Sequence, residues 1–330
     1  MKKMFCFIFI SLLLSFEQIT IKGIKKKVLV ATEKPFAKEA INEIKSTIEN
    51  AGYELILLEK YKDKKEFLKA IADVDALIVR SDKVDKEVLD AAKNLNIVVR
   101  AGAGFDNIDL QAATSHKIIV ENTPGQNANA VAELVLGLLV FTVRNFYNGK
   151  FGTELMGKKL GLLAFGNVGR NVARIAKGFD MEIYSYDPFL PSEIIEKEGV
   201  HAVKSRDELF EKCDIVSLHI PALPQTIKSI NYDLVNKMKK GGILINTSRK
   251  EVIDEISLIK LLNERKDLKY ITDLVADNDK EVKKFEGRYF STPKKMGAQT
   301  SEANTNAGIA AANQIITFFK DGITKFQVNN

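Results

Sequence analysis

Cysteine and histidine are scarce in this chain. Two cysteines, Cys6 and Cys213, in 330 residues exclude a disulfide-stapled scaffold and a Cys-rich zinc module. Three scattered histidines, His116, His201 and His219, leave little material for a histidine metal centre, so no metal site is expected. Arginine is also sparse: nine of the 49 Lys and Arg residues are Arg, within a net charge of +6. Nucleic-acid readers favour Arg for bidentate contacts to bases and phosphates. Here the lysines alternate with acids, as in Lys60-Tyr61-Lys62-Asp63-Lys64-Lys65-Glu66, and no basic stripe carries interleaved aromatics. The positive balance therefore reads as a solvated, Lys-rich surface, with no nucleic-acid partner. A hydrophobic fraction of 45% and a charged fraction of 28% exclude a collagen, a disordered tail and a multi-span membrane protein.

One apolar run stands out, at the beginning. Lys2-Lys3 precedes Phe5 to Phe16, which is too short to cross a bilayer but resembles the core of a signal peptide. Glu17-Gln18-Ile19-Thr20 offers no small-x-small cleavage site. Residues 1–25 fit a secretory signal, a membrane-tethering extension or an upstream stretch outside the true reading frame. Against the last, the next methionine after Met4 is Met156. No membrane partner is expected unless this segment is retained.

The remaining length suits about two domains, and strands alternate with helices along it. Val28–Ala31, Glu54–Leu58, Ala76–Val79 and Ile97–Arg100 read as strands. Ile41, Ile44 and Ile48 share one helical face between the first two, and helices are expected over Lys65–Ala72 and Lys86–Ala92. A helix apolar nearly all round follows, Ala128–Arg144, suited to the core or to a dimer interface. A second series begins at Leu160–Ala164, with a helix over Asn167–Phe179. Strands are then expected at Glu182–Tyr186, Ile215–Leu218, Gly242–Asn246 and Tyr270–Asp273, and a last helix at Asn304–Phe319. The fold class is therefore α/β: two Rossmann-like, doubly wound parallel-sheet units in one chain.

At the strand-to-helix turn of the second series lies Gly161-Leu162-Leu163-Ala164-Phe165-Gly166-Asn167-Val168-Gly169. It carries a dinucleotide fingerprint with Ala164 at the first glycine position and Gly166 and Gly169 at the other two. Gly166 lets the pyrophosphate approach the backbone, Gly169 lets helix and strand pack closely, and the N–H groups of Asn167 and Val168 face the phosphates. About 20 residues on, Asp187 ends the next strand. A carboxylate there accepts from a ribose 2′-hydroxyl and repels a 2′-phosphate, which selects NAD over NADP.

With these motifs in place, the chain resembles the D-isomer-specific 2-hydroxyacid dehydrogenases from about Lys26 to the end. The resemblance rests on Val79-Arg80-Ser81, Arg100 to Asp109, Asn122-Thr123-Pro124-Gly125, Gly152 to Leu155, Ile245 to Arg249 and Val252 to Glu255. Within the family it is most similar to the branch that oxidises D-3-phosphoglycerate to 3-phosphohydroxypyruvate with NAD, the first step of phosphorylated L-serine biosynthesis. Two alternatives remain open: a dehydrogenase for another D-2-hydroxy acid such as glycerate or lactate, and a non-catalytic NAD-binding sensor.

The resemblance implies a role for each matching residue. Arg249 falls at the catalytic arginine, which holds the substrate carboxylate and polarises the carbonyl. Ala103 and Gly104 belong to the loop that receives the carboxylate, and Arg80 and Ser81 lie near the phosphate end. Thr247 and Asp273 flank the nicotinamide, Pro221 edges the cofactor, and Gly297, within the catalytic segment, is a further cofactor-binding residue. His219 is read as structural. The family's catalytic histidine stands in a Pro-His-x-Gly-Ala segment; here Thr292-Pro293-Lys294-Lys295-Met296-Gly297-Ala298 places Lys295 there. The family's catalytic glutamate has Asn278 at its position. The two departures are coherent, because a lysine base must be brought down from about 10.4. A carboxylate would push it up, whereas burial and positive neighbours, Arg249 and Lys294, push it down.

The resemblance also implies a discontinuous substrate domain, 26–126 with 303–330, around an NAD domain at 127–302. A homodimer through the NAD domains and a cytoplasmic location are expected, without the C-terminal regulatory domain of longer relatives. The segment between Arg144 and Gly152 is shorter than is usual in the family.

Overall fold

The protein is described by a computed structural model covering residues 25–329. The N-terminal extension, apart from Lys25, lies outside the described residues. Two all-parallel sheets organise the chain. The first contains β1 (Lys27–Thr32), β2 (Glu54–Glu59), β3 (Ala76–Val79), β4 (Ile97–Arg100) and β5 (Ile119–Asn122), in spatial order β2-β1-β3-β4-β5. The helices threaded through it are α1 (Lys38–Asn50), α2 (Lys64–Ile71), α3 (Lys86–Ala91) and α4 (Leu110–Ser115). α5 (Ala128–Val143) leads to the second sheet.

That sheet contains β6 (Lys159–Leu163), β7 (Glu182–Tyr186), β8 (His201–Ala202), β9 (Ile215–Leu218), β10 (Ile243–Asn246), β11 (Lys269–Thr272) and β12 (Tyr289–Ser291). Their spatial order is β12-β11-β10-β9-β6-β7-β8. The connecting helices are α6 (Asn167–Lys177), α7 (Ser192–Lys197), α8 (Arg206–Lys212), α9 (Tyr232–Asn236), α10 (Glu255–Glu264) and α11 (Asp279–Val282). Last comes α12 (Ser301–Asp321). The central strands β3, β9 and β10 are buried throughout and read Ala-Leu-Ile-Val, Ile-Val-Ser-Leu and Ile-Leu-Ile-Asn. Continuous apolar runs of this kind belong to sheets covered on both faces.

α12 does not join the sheet that precedes it. Its Ala307, Ala311, Ala312 and Ile315 are buried in one cluster with Val28, Val30 and Ile78 of the first sheet and Ile44 of α1. Gly308 permits the approach, since a Cβ there would stand 2.5 Å from the Ile44 Cδ1. The helix runs from a Thr300 cap, whose Oγ1 accepts from the Ala303 N–H at 3.1 Å, to Gly322 in the left-handed region at φ 68°. The capping chemistry thus extends it beyond both expected ends.

In each sheet the order reverses once, between β1 and β3 and between β6 and β9. Open parallel sheets bind ligands outside the C-terminal strand ends at such points. Arg80 and Ser81 follow β3, and Lys34 follows β1. Gly166 follows β6, and Pro221 follows β9. Thr247 and Arg249 follow β10 and Asp273 follows β11, and Arg249 lines one cleft with Lys34, Arg80 and Ser81.

Candidate active site

The turn after β6 has the geometry of a phosphate cradle. Ala164 is at φ 80°, where glycine is the natural residue. Gly166 caps α6 without a side-chain partner, and a Cβ on it would meet nothing within 4 Å. The first N–H groups of α6, on Asn167 and Val168, therefore border open space. A Cβ on Gly169 would stand 2.5 Å from the Ala164 carbonyl oxygen, so only glycine fits this helix-to-strand approach. Asp187, at the end of β7, accepts from the Phe165 N–H and the Phe189 N–H, both at 2.9 Å. It ties the turn to β7 while its remaining lone pairs stay available.

Beyond β10 and β11, Thr247 Oγ1 and Asp273 Oδ1 are buried without a partner. Asp273 Oδ2 accepts from the Met296 N–H at 3.1 Å and the Gly297 N–H at 2.7 Å. Burial raises the Asp273 carboxyl, and these two backbone donors oppose the rise. Pro221 is exposed, its carbonyl accepting from the Thr226 hydroxyl at 2.6 Å. A free helix N-terminus, a carboxylate one strand away and two unpaired buried polar groups fit a nicotinamide dinucleotide.

The opposite wall is cationic. Arg80, Arg100, Arg249 and Lys295 line a single cleft of about 380 Å³, together with Ser81, Ala103 and Gly104. Asp106 is the sole carboxylate among the described residues that line it. Arg80 donates to the carbonyls of Lys34 at 3.1 Å and Pro35 at 3.2 Å and to Asn304 Oδ1 of α12, and it lies over the Phe36 ring. The anion loop is held from behind: Asn122 Nδ2 donates to the Ala103 carbonyl at 2.6 Å, and the Thr123 N–H to the Gly102 carbonyl at 2.9 Å. Gly102, at φ 149°, leaves room for the Arg100 side chain, which a Cβ would overlap. Arg249 reaches across to the loop, with Nη2 3.6 Å from Asp106 Oδ2. Its backbone is fixed by the Asn246 side chain, which donates to the Arg249 carbonyl at 2.9 Å.

Lys295 Nζ donates to the Ser248 carbonyl at 3.1 Å. Lys295 is more than a third exposed at the cleft surface. Desolvation of its ammonium among the cleft walls, and then the neighbouring Arg249 guanidinium, pull its pKa below the ordinary lysine range, against weaker opposition from Asp273, Asp106 and Glu251. Lys294, expected to add positive charge, does not: it is exposed and outside the cleft, and its carbonyl accepts from the Thr292 hydroxyl at 2.7 Å. Asn278 lies outside the cleft as well, bonded to Glu255 at 3.1 and 3.2 Å. Asp277 pairs with Lys250, and Asp279 with Lys283. No carboxylate of that segment bonds to Lys295.

His219 follows β9 with Nε2 buried and unpartnered, and burial pushes it down to about 4, so it is neutral at pH 7.

Arg100 escaped the sequence reading. Burial, then Arg80 and Arg249, bring it down to about 10, so it remains a cation at pH 7. Its signal was a charge closing the otherwise apolar strand Ile97-Val98-Val99-Arg100 immediately before a glycine loop.

Residues 142–293 match the model of the D-isomer specific 2-hydroxyacid dehydrogenase NAD-binding domain. The chain belongs to this family. Among its relatives, the hydroxypyruvate reductase of Thermotoga maritima is 42% identical over 219 residues, covering 62% of this chain and 70% of that protein. The D-3-phosphoglycerate dehydrogenase of Methanocaldococcus jannaschii is 36% identical over 283 residues, covering 81% of this chain and 54% of that protein. The chain thus spans about half the length of that relative. The crystal structure of NAD+-bound 3-phosphoglycerate dehydrogenase from Entamoeba histolytica superposes with a TM-score of 0.85 at 47% identity, covering 93% of this chain and 99% of that one.

Proposed function

We propose that this protein oxidises D-3-phosphoglycerate to 3-phosphohydroxypyruvate with NAD, the entry reaction of phosphorylated L-serine biosynthesis. The observation that carries the reading is the convergence of Arg80, Arg100, Arg249 and Lys295 on one cleft that has a single carboxylate among the described residues lining it. A substrate with a carboxylate at one end and a phosphate at the other matches a cleft lined by several cations. Arg249 and the Ala101–Gly104 loop take the carboxylate, and Arg80, Ser81 and Arg100 take the phosphate. The related phosphoglycerate dehydrogenases support the same assignment.

When bound, NAD supplies the hydride acceptor. Gly166, Asn167, Val168 and Gly169 would hold its pyrophosphate, Asp187 its ribose, and Thr247, Asp273 and Gly297 the surroundings of the nicotinamide, with Pro221 at the rim. Lys295, held below the ordinary lysine range, takes the proton of the 2-hydroxyl, and Arg249 stabilises the charge that develops on the oxygen. No metal is needed for this chemistry.

The same reading assigns 26–126 and 303–330 to a substrate domain and 127–302 to an NAD domain. The packing of α12 on the first sheet supports that division. It also assigns a homodimer through the NAD domains and a cytoplasmic location. No helix among the described residues is long and apolar enough to cross a membrane.

The test is NAD reduction with D-3-phosphoglycerate, D-glycerate and D-lactate, with 3-phosphohydroxypyruvate and hydroxypyruvate in reverse. Each charge-assisted hydrogen bond to phosphate contributes about 1.5–3 kcal/mol, so two should favour the phosphorylated acid by at least about 10²-fold in kcat/KM. Equal kcat/KM for both would refute the phosphate assignment. It would favour the hydroxypyruvate chemistry named for the Thermotoga relative.

A further inference from the structure

We propose that the cavity between α12 and the edge strand β5 is a second binding site, for a small molecule carrying a primary ammonium group. The cavity measures about 470 Å³ and is lined by Glu121, Thr123, Pro124, Gln314, Ile323 and Phe326, with Lys325 at its exposed side. The Lys325 ammonium lies over the Phe326 ring, 5.3 Å from its centroid, and forms no ion pair with Glu121. It is separate from the catalytic cleft.

The period of a strand places residues 119 and 121 on one face. Ile119 uses that face as an apolar residue should, packing against the apolar cluster that includes Ala311 and Ile315 of α12. Position 121 calls for another apolar side chain and instead carries Glu121, only 1% exposed. One carboxylate oxygen accepts from the Phe326 N–H at 2.9 Å, and no cation among the described residues forms an ion pair with it. A buried carboxylate without a cation is costly, and burial raises its pKa accordingly.

Two further polar atoms beside it are orphaned: Thr123 Oγ1 and Gln314 Oε1 are buried without partners. A carboxylate, an amide oxygen and a hydroxyl together match the three donors and positive charge of an ammonium group. Pro124, Ile323 and Phe326 supply apolar walls for the body of the molecule. Anchoring the C-terminal segment through Phe326 does not require the charge, because a neutral glutamine oxygen would accept the same bond.

The site is wired to the substrate loop. The Thr123 N–H holds the Gly102 carbonyl, Asn122 Nδ2 holds the Ala103 carbonyl, and Gln314 Nε2 donates to the Asn122 carbonyl at 3.0 Å. An occupant in contact with Thr123 and Gln314 would therefore alter KM for the 2-hydroxy acid. Binding itself is readable without turnover, so it stands or falls apart from the proposed reaction.

The experiment is calorimetric titration of the full chain with ethanolamine and L-alanine, with propionate as an anion control. The two ammonium compounds should bind saturably and propionate should not. Glu121→Gln keeps the acceptor for Phe326 and should weaken binding by roughly 10–100-fold, the loss of a charge-assisted hydrogen bond. Ala310→Leu narrows the cavity with Glu121 intact and should weaken it too, which separates site loss from misfolding. Equal affinity in wild type and Glu121→Gln, or no saturable binding of either ammonium compound, would overturn the proposal.

Discussion

Ala164 offers a sharp test of how the dinucleotide turn is built. It holds φ 80° where the fingerprint normally has glycine. An L-residue in the left-handed region carries roughly 1–2 kcal/mol of strain. Ala164→Gly removes it but adds about 0.4–1 kcal/mol of chain entropy to the unfolded state. The comparison substitution is Ala173→Gly in α6, a helical position only 3% exposed. It carries the same unfolded-state effect, relieves nothing and loses a buried methyl group, for about 1–2 kcal/mol of destabilisation in all. Ala164→Gly should thus range from neutral to about 1.5 kcal/mol stabilising, leaving about 1–3.5 kcal/mol between the variants. Urea denaturation with matched m-values measures the difference, and NADH fluorescence titration should give wild-type affinity for Ala164→Gly. Equal destabilisation by both substitutions would refute the strain assigned to this turn.

Two further predictions address pH and the anion loop. His219 is held at about 4 in the fold, against about 6.5 when unfolded. Below pH 6.5 the unfolded chain takes a proton that the folded chain refuses. Stability present above pH 6.5 should therefore fall by roughly 1.4 kcal/mol per pH unit towards pH 4. His219→Gln should flatten the pH dependence of denaturation in that window, and an unchanged slope would refute the burial argument. Gly102→Ala places a Cβ where the Arg100 guanidinium lies. It should raise KM for the phosphorylated acid by at least about 10-fold, the equivalent of one charge-assisted contact, with a smaller change in KM for NAD.

Much of this architecture was legible in short apolar runs. β1, β3, β9 and β10 are central and buried, so their sequences are continuous and their ends nearly fixed. β5, β8 and β12 were not legible. β5 reads Ile-Val-Glu-Asn, with two polar residues buried by tertiary packing. β8 has two residues, and β12 three at the far edge.

For the candidate site, Gly166, Gly169 and Asp187 could be placed because strand, turn and helix fix their spacing. Arg249 and Lys295 came from family likeness, and the cleft brings them together. Arg100 and Asn304 could not be placed from local pattern. Each matters through a partner far away in the chain: Asn304 meets Arg80 across 224 positions. The helix contacts that place α12 on the first sheet are long-range and leave no local mark. Asn278 illustrates the converse, since its alignment position was clear but its partner, Glu255, lies outside the cleft.

The central claim is that Lys295 performs the proton transfer for which the family uses histidine. The direct measurement pairs steady-state oxidation of D-3-phosphoglycerate with NADH fluorescence titration, in wild type and Lys295→Ala. Losing the acid–base group should lower kcat by about 10²–10⁴-fold while leaving NADH affinity within a factor of about two. Turnover in Lys295→Ala equal to wild type, with NADH still bound, would contradict the assignment.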